Sequence, residues 1–510
     1  MGEFKRVLVS NRGEIVVRVI RALDALGIES VAVYSDADAS SPYLTYADKA
    51  YRLPGVYSTD TYLNAEKMID IALKTECDAI HPGYGFLSES AGFTRLCKEK
   101  SIKFIGPNPE ALILSENKLE CKKIVQAHGV PVIPYSPEPM ENAEEAAKAA
   151  TEIGYPVLLK AAYGGGGKGI KEAKSKDEVR EAFESSEREA KSAFGRFAVF
   201  IEKRIIRPKH IEVQILASDD SSEVVHLGER ECTIQRRYQK LVEMTPSPVV
   251  DDEARKTLTG YALKAAKAVK YSNAGTCEFL REPSTGNFYY MEMNSRLQVE
   301  HGITELVTGV DMVVSQIHVA SKNKLPFSQS AVDLRGCAIE CRINAEDPLS
   351  GFAPTSGEIA YMKLPGGSGI RVDTGLSQGA DVSPFYDSLM AKLMAWGQDF
   401  NQARARALTA LGEFAIVGVD STIPFHLEVL SHPAFAAGDF DTGFIEDEGI
   451  IPLLRQRVRA EEATPEKFAI AAFLLSKSQF GEPGLAPSGP LQQNSRRTGL
   501  QRGGRFVDAI

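Results

Sequence analysis

The chain has no run of apolar residues approaching the ~18 needed to cross a bilayer as a helix. It also lacks a basic excess: 59 Lys and Arg face 68 Asp and Glu, a net charge of −9. A general nucleic-acid binder carries the opposite balance, so neither a membrane nor a nucleic acid is expected as a partner. Its seven cysteines (Cys77, Cys97, Cys121, Cys232, Cys277, Cys337 and Cys341) include no CxxC pair. An odd, scattered set fits reduced thiols better than a disulfide framework. No signal-peptide pattern opens the chain, where Arg6 and Arg12 bracket a short apolar stretch with no cleavage site after it. A soluble, cytoplasmic protein is the expectation. Two nucleotide fingerprints are missing as well. The first strand–helix turn reads SNRGE, without GxGxxG, and the glycine run at Gly164–Gly169 matches that pattern only as any glycine run would. The phosphate-loop pattern fails there because Ala162 stands for its first glycine and Gly169 for its Ser or Thr.

What is present centres on Gly275–His301, GTCEFLREPSTGNFYYMEMNSRLQVEH. Two strand-like runs flank a turn cluster, EPSTGN, which predicts a β-hairpin. Folding it about Thr285 sets Glu278 opposite Glu292, with Asn294 on the same face and Phe279, Met291 and Met293 on the other. Like charges directly opposed across a sheet repel unless a cation lies between them. Two carboxylates and an amide suit a hard cation such as Mg²⁺, shared with substrate phosphates. The turn that follows adds Arg296, Gln298 and Glu300.

In chain order, RVLVSNRGEIVVRVIRALDALGIESVAVYSD reads as strand, helix (Gly13 to Leu26, stopped by Gly27) and strand, a βαβ unit on a parallel sheet. Tyr84 tips a loop after a further strand, where ligands of such sheets sit. Helices are predicted at Asn117–Gly129, Ala143–Ile153, Asp177–Ala193, Asp251–Val269 and Asn401–Phe414. Lys118, Lys122 and Lys123 read as a solvated helix face. YGGGGKG, between the strands PVLLKAA and IKEA, reads as a mobile hairpin able to approach anions. KHIEVQILA alternates His210, Glu212 and Gln214 with Ile211, Val213 and Ile215. GERECTIQRRYQKLVEMTPSP reads as a mixed-charge loop, either a solvated salt-bridge network or, with its basic residues just before the acidic hairpin, part of an anionic-substrate site. ITELVTGVDMVVSQIHVASK reads as one amphipathic helix. GCAIECRINAEDP is a strand with Arg342 on its polar face. A helix from Thr464 and a disordered tail from Gly481 complete the reading.

SNRGEI, HPGYGFLSE, GGGGKG, RRYQK, GTCEFL with EMNSRLQVEH, and ECRINAEDP, in this order, resemble the biotin carboxylase family over residues 4 to about 449. The resemblance implies an α/β protein of ATP-grasp fold. Its parts would be a Rossmann-like N-terminal domain (1–117), an ATP-grasp domain (118–333) with a lid at about 131–204, a C-terminal α+β domain (334–449) and an extension (450–510). It implies an ATP-dependent ligase that carboxylates biotin on a separate carrier protein from bicarbonate, with Mg²⁺ or Mn²⁺ as cofactor. The other implied partners are a second copy of the chain and a carboxyltransferase subunit. No Ala-Met-Lys-Met biotinylation motif is present: Met362-Lys363 and Ala391-Lys392 lie in strand contexts. An acetyl-CoA or propionyl-CoA carboxylase is the expected holoenzyme. The alternatives are a pyruvate carboxylase, of which this chain would be one subunit, or another ATP-grasp carboxylate–amine ligase.

The roles implied by resemblance are these. Lys118 and Lys160 hold phosphates, with Gly166 and Gly167 on the lid. Glu202, Lys203 and Ile205 border the adenine, His210, Gln235 and Tyr238 the ribose and phosphates, and Leu280 is a further ATP-binding residue. Glu278, Glu292 and Asn294 hold metal. Lys240, Arg296, Gln298 and the Val299 backbone bind bicarbonate, Glu300 is its base, and Arg342 faces biotin beside Tyr84. Tyr238 replaces the family's common His, Ile170 its Met, and Gly302 the proline after Glu-His, which should loosen that turn.

Overall fold

The structure, a computed structural model, describes residues 4–161, 170–194, 199–462 and 505–507. The N-terminal strands Arg6–Val9, Glu29–Ser35, Lys49–Leu53, Ala79–His81 and Lys103–Phe104 form a parallel sheet. Helix Glu14–Ala25 packs Ile15, Val16, Val19, Ile20 and Leu23 into its core. Gly27, at φ +68°, turns the chain out of the helix, a conformation that costs glycine little. The loops after two strand ends are tied together, because Asn11 Nδ2 donates to the carbonyls of Pro82 (2.6 Å) and Tyr84 (2.8 Å). Tyr84 is thereby held at the carboxyl edge of the sheet.

A three-stranded sheet (Lys171–Ala173, Val157–Ala161, Val199–Lys203) carries the helices Ala143–Ile153 and Lys176–Phe194. The central element is an eight-stranded sheet. Its order is Phe288–Asn294, Asn273–Arg281, Lys209–Ala217, Val224–Arg236, Gln239–Thr245, Cys337–Asn344, Leu389–Gly397 and Ile370–Thr374. It runs unbroken past residue 334, because Val242 pairs with Cys341 and Glu243 with Glu340.

Four sequence expectations are corrected. The mixed-charge loop is the hairpin Val224–Arg236/Gln239–Thr245, turning on Arg237 and Tyr238, both at positive φ. Its charges are not solvated: Glu229, Arg230, Glu231 and Glu243 are fully buried. The single helix after His301 is two, His301–Thr308 and Met312–Lys322. Gly309 (φ +71°) ends the first and Asp311 caps the second, a stop and a start in adjacent turns. In the central hairpin Glu278 does pair with Glu292, but an irregularity follows, and Phe279 pairs with Tyr290. Tyr290, not Met291, therefore shares the core with Phe279, their ring centroids 5.8 Å apart. The tail is not wholly unstructured, since Arg505–Val507 runs parallel to Lys49–Leu53. The helix expected from Thr464 and the Gly-rich loop fall outside the described residues.

Gly302 is buried in the first turn of its helix, and Met394 occupies the space a side chain there would need. A Cβ at this position would collide with Met394 Sδ. Packing thus fills the gap left by the absent proline. Gly302→Ala should lower unfolding stability by about 1–3 kcal/mol through overpacking. In a Met394→Val background the same change should cost at least about 1 kcal/mol less. Urea denaturation of the four-protein cycle measures the coupling, and additive effects would refute the contact.

Candidate active site

Strand register lines up four charges across the sheet: Arg230 opposite Glu212, Glu212 opposite Glu278, and Glu278 opposite Glu292. Three carboxylates side by side need cations. Arg230 Nε donates to Glu212 Oε1 at 2.5 Å, and Lys118 Nζ lies 2.6 Å from Glu292 Oε2. Lys240, one strand further on, sends its ammonium into the row. It reaches Glu212 at 2.6 Å, Glu278 at 2.9 Å and Glu300 at 2.8 Å, so all three of its protons are used. His210 Nε2 stands 3.2 Å from Glu278 Oε2. Burial alone would push the Lys240 ammonium toward neutrality. The neighbouring Cys232 and the three carboxylates instead hold it well above its ordinary value.

The turn Ser295–Glu300 lies beside this row. Burial would raise the Glu300 carboxyl, but Lys240, Arg342 and Arg230 hold it well below the usual range. Glu300 is therefore a carboxylate despite being fully buried. Arg342 donates from one Nη to Glu300 at 2.9 Å and from Nε to Glu243 at 2.6 Å. Burial, opposed by Arg342, pushes Glu243 up to about 7. Glu340 pairs with Glu243 across the ladder, and neither of its carboxyl oxygens meets a donor among the described residues. Burial holds its carboxyl well above the usual range. Arg296 turns the other way, to Glu89 at 3.1 Å and Gln298 Oε1 at 3.0 Å. Gln298 Nε2 is buried and meets no acceptor among the described residues. The Val299 carbonyl accepts from Lys392 Nζ at 2.9 Å. That fully buried lysine also lies 3.2 Å from Glu14, which in turn accepts the hydroxyl of Tyr84.

The residues expected to border a nucleotide divide. Lys160 and Lys122 both bind the carboxylate of Glu202. Lys122 is thus buried, not on a solvated face; its spacing of four from Lys118 was the available signal. The Lys203 ammonium is committed to the carbonyls of Gly154 and Tyr155, both at 2.8 Å. Ile205 is buried, Gln235 half-buried, and Leu280 pairs with His210. Tyr238 stands 57% exposed at its hairpin tip, outside the cavity described next. Gly166 and Gly167 lie outside the described residues.

A cavity of about 820 Å³ opens over the site. Lys118, Glu292, Asn294, Arg296, Val299, Arg342 and Tyr84 all line it. Glu278, Glu292 and Asn294 share one face of the hairpin, and Glu292 and Asn294 line the cavity, so two carboxylates and an amide offer a hard dication an accessible set of oxygen donors. Glu212, Cys232 and Glu300 also bring ligand atoms within 4.8 Å of one another, but Arg230 and Lys240 already neutralise those acids. Sequence reasoning assigned no site role to Glu212, Arg230, Glu243, Glu89 or Lys392; Arg230 and Glu243 lie in the segment read as a mixed-charge loop.

Glu202 supplies a test that needs no substrate. Burial would raise its carboxyl, but Lys122 and Lys160 hold it down at about 2, against an ordinary 4.5. A depressed acid stabilises the fold above its unfolded value, and the effect fades as pH falls toward its folded value. Glu202→Gln should cost about 3–5 kcal/mol at pH 7 by stranding buried ammoniums. The gap from wild type should narrow between about pH 4.5 and pH 2. A pH-independent gap in thermal denaturation would exclude the ion pair as its source.

Known proteins match along this same architecture. Residues 3–112 match the family described as biotin carboxylase, N-terminal domain, and residues 340–447 the biotin carboxylase C-terminal domain. Residues 117–328 match carbamoyl-phosphate synthase L chain, ATP binding domain. A pyruvate carboxylase subunit of Methanothermobacter thermautotrophicus is 46% identical over 476 residues, 93% of this chain and 96% of that one. Biotin carboxylase 1 of Bacillus subtilis is 47% identical over 442 residues, 87% of this chain and 98% of that one. Among solved structures, the biotin carboxylase domain dimer of Hydrogenobacter thermophilus 2-oxoglutarate carboxylase, in complex with MgADP, ADP and bicarbonate, superposes with a TM-score of 0.86. It is 46% identical, with 88% of this chain and 99% of that one covered. Family profiles, relatives and solved structures agree along the matched region: the chain belongs to the biotin carboxylase family of ATP-dependent ligases.

Proposed function

We propose that this chain is the biotin carboxylase component of a multisubunit carboxylase, which uses ATP and bicarbonate to carboxylate biotin on a separate carrier protein. One observation carries the reading. A fully buried carboxylate, Glu300, is kept ionised between Lys240 and Arg342, beside a cavity large enough for a nucleotide and a second substrate. That is the state a general base requires. Two relatives are themselves named as subunits, the Methanothermobacter protein of a pyruvate carboxylase and the Hydrogenobacter protein of a 2-oxoglutarate carboxylase, and they support delivery of biotin by another chain. The dimeric Hydrogenobacter structure supports a homodimer.

In this mechanism Lys118 and Lys160 bind the phosphates of ATP, Lys160 leaving Glu202 to do so. Glu278, Glu292 and Asn294 would hold Mg²⁺ or Mn²⁺, which supplies charge neutralisation on the transferring phosphoryl group. Lys240, Arg296, Gln298 and the Val299 backbone bind bicarbonate, and Lys240 yields one of its three acidic partners to do so. Glu300 takes the bicarbonate proton. The freed oxygen attacks the γ-phosphorus, the bond to ADP breaks, and carboxyphosphate forms. Carboxyphosphate splits into CO₂ and phosphate, the phosphate takes the biotin N1′ proton, and N1′ attacks CO₂. Arg342 holds the oxyanion of deprotonated biotin electrostatically, and Glu243 fixes the direction of its guanidinium.

An oxo acid carboxylase is the second reading. The match to the Methanothermobacter pyruvate carboxylase protein runs over 476 residues, whereas that to biotin carboxylase 1 stops at 442. The extended match favours pyruvate over an acyl-CoA as acceptor. Assaying the copurified holoenzyme with acetyl-CoA, propionyl-CoA, pyruvate and 2-oxoglutarate separates the two.

Glu300→Gln should lower bicarbonate-dependent ATP cleavage by ~10²–10⁴-fold at saturating bicarbonate, because the amide cannot accept the proton. A plateau restored at high bicarbonate would make Glu300 scaffolding for Lys240 and Arg342. Arg342→Ala should lower biotin carboxylation ~10²-fold more than it lowers ATP cleavage without biotin. Equal losses in the two assays would remove Arg342 from the second half-reaction.

A further inference from the structure

On the cavity's rim stands an aromatic pair that the chemistry above leaves unused. Tyr57 is 61% exposed and Phe385 45% exposed, and their rings meet edge to face at 5.6 Å. They come from loops far apart in sequence, yet the loops are locked together. Tyr386 donates its hydroxyl to the Val56 carbonyl at 2.7 Å, packs on Tyr62 at 5.4 Å, and lies under the Arg12 guanidinium at 4.3 Å. Arg12 is fixed in turn by a two-pronged bond to Asp38, at 2.7 and 2.8 Å. The pair thus projects from a rigid base, so little ordering cost remains for a partner that covers it. Next to it, Ser58, Phe385 and Asp387 line the same cavity as Tyr84 and Arg342.

We propose that Tyr57 and Phe385 form the docking surface for the carrier domain that presents biotin on a lysine. The proposal rests on the biotin carboxylase reading above. Its geometric reason is the tether. Biotin joined to a lysine has only that side chain and its own acyl chain between the reacting ring and the carrier backbone. When the ring reaches Arg342, the carrier's body must press against the mouth of the cavity, where this pair stands. Exposed, well-supported aromatics at such a contact are the residues that carry binding energy.

The test compares two forms of one substrate on the full-length chain. Wild type, Tyr57→Ala, Phe385→Ala and the double variant are assayed with free biotin and with a biotinylated carrier domain. The double variant should raise the KM for the carrier ~10–30-fold, with each single change accounting for part of it. The kcat/KM for free biotin and bicarbonate-dependent ATP cleavage should stay within about twofold, and Tyr57→Phe should retain most carrier affinity. An unchanged carrier KM overturns the proposal. So does an equal loss with free biotin, which would make the pair part of the biotin cleft or a prop for its loops. A change of oligomeric state with unaltered carrier kinetics overturns it in favour of self-association. A wild type that carboxylates neither form of biotin fails the parent reading, and this proposal with it.

Discussion

A lysine among three carboxylates holds the centre of this protein together. Strand register forces Glu212, Glu278 and Glu292 into one row, and the turn after the hairpin adds Glu300 close by. Lys240 pairs with Glu212, Glu278 and Glu300 and Lys118 with Glu292, which offsets the repulsion along the row. Glu278 and Glu300 are thereby held as carboxylates despite their burial. Both consequences matter, because a base must be charged to act and a metal-binding pair must be charged to attract. The arrangement is costly to bury, and such a cost is usually kept where chemistry requires it.

The same logic separates acids of similar burial. Glu300 and Glu243 are both fully enclosed, and both touch Arg342. Glu300 has Lys240 and Arg230 as further cations and stays ionised, whereas burial, opposed by Arg342, pushes Glu243 up to about 7. One guanidinium is thus held between an ionised carboxylate and an acid that burial makes easier to protonate. That keeps Arg342 oriented without wholly neutralising it, as an oxyanion donor needs.

Rigid placement reaches beyond the central sheet. Lys392, from the strand next to that of Arg342, ties the Val299 carbonyl to Glu14, and Glu14 ties in Tyr84. One buried ammonium therefore links the turn carrying Glu300, the N-terminal loops and the C-terminal part of the sheet. Arg18, Glu305, Arg371 and Asp373 extend the chain of pairs toward the surface. Binding pieces drawn from three regions keep their relative positions through charge pairing as much as through apolar packing.

Local signals carried much of this by themselves. The EPSTGN turn and period-two alternation placed Glu278 opposite Glu292, and Gly27 and Asn117 marked real helix ends. Motif order pointed to the family, and the resemblance implied Glu300 as a base beside Lys240 and Arg296. The sequence could not say that the second face of a strand is also buried. Alternation shows that two faces differ, but not whether the polar one meets water, so Arg230 and Glu243 could pass as solvated charges and Glu212 drew no role. Nor could it show which cation answers which acid, because Lys240, Lys392 and Arg342 meet their partners across strands distant in the chain. Those choices were left to the tertiary structure, since desolvation and Coulomb attraction depend on distances that exist only once the sheet has closed.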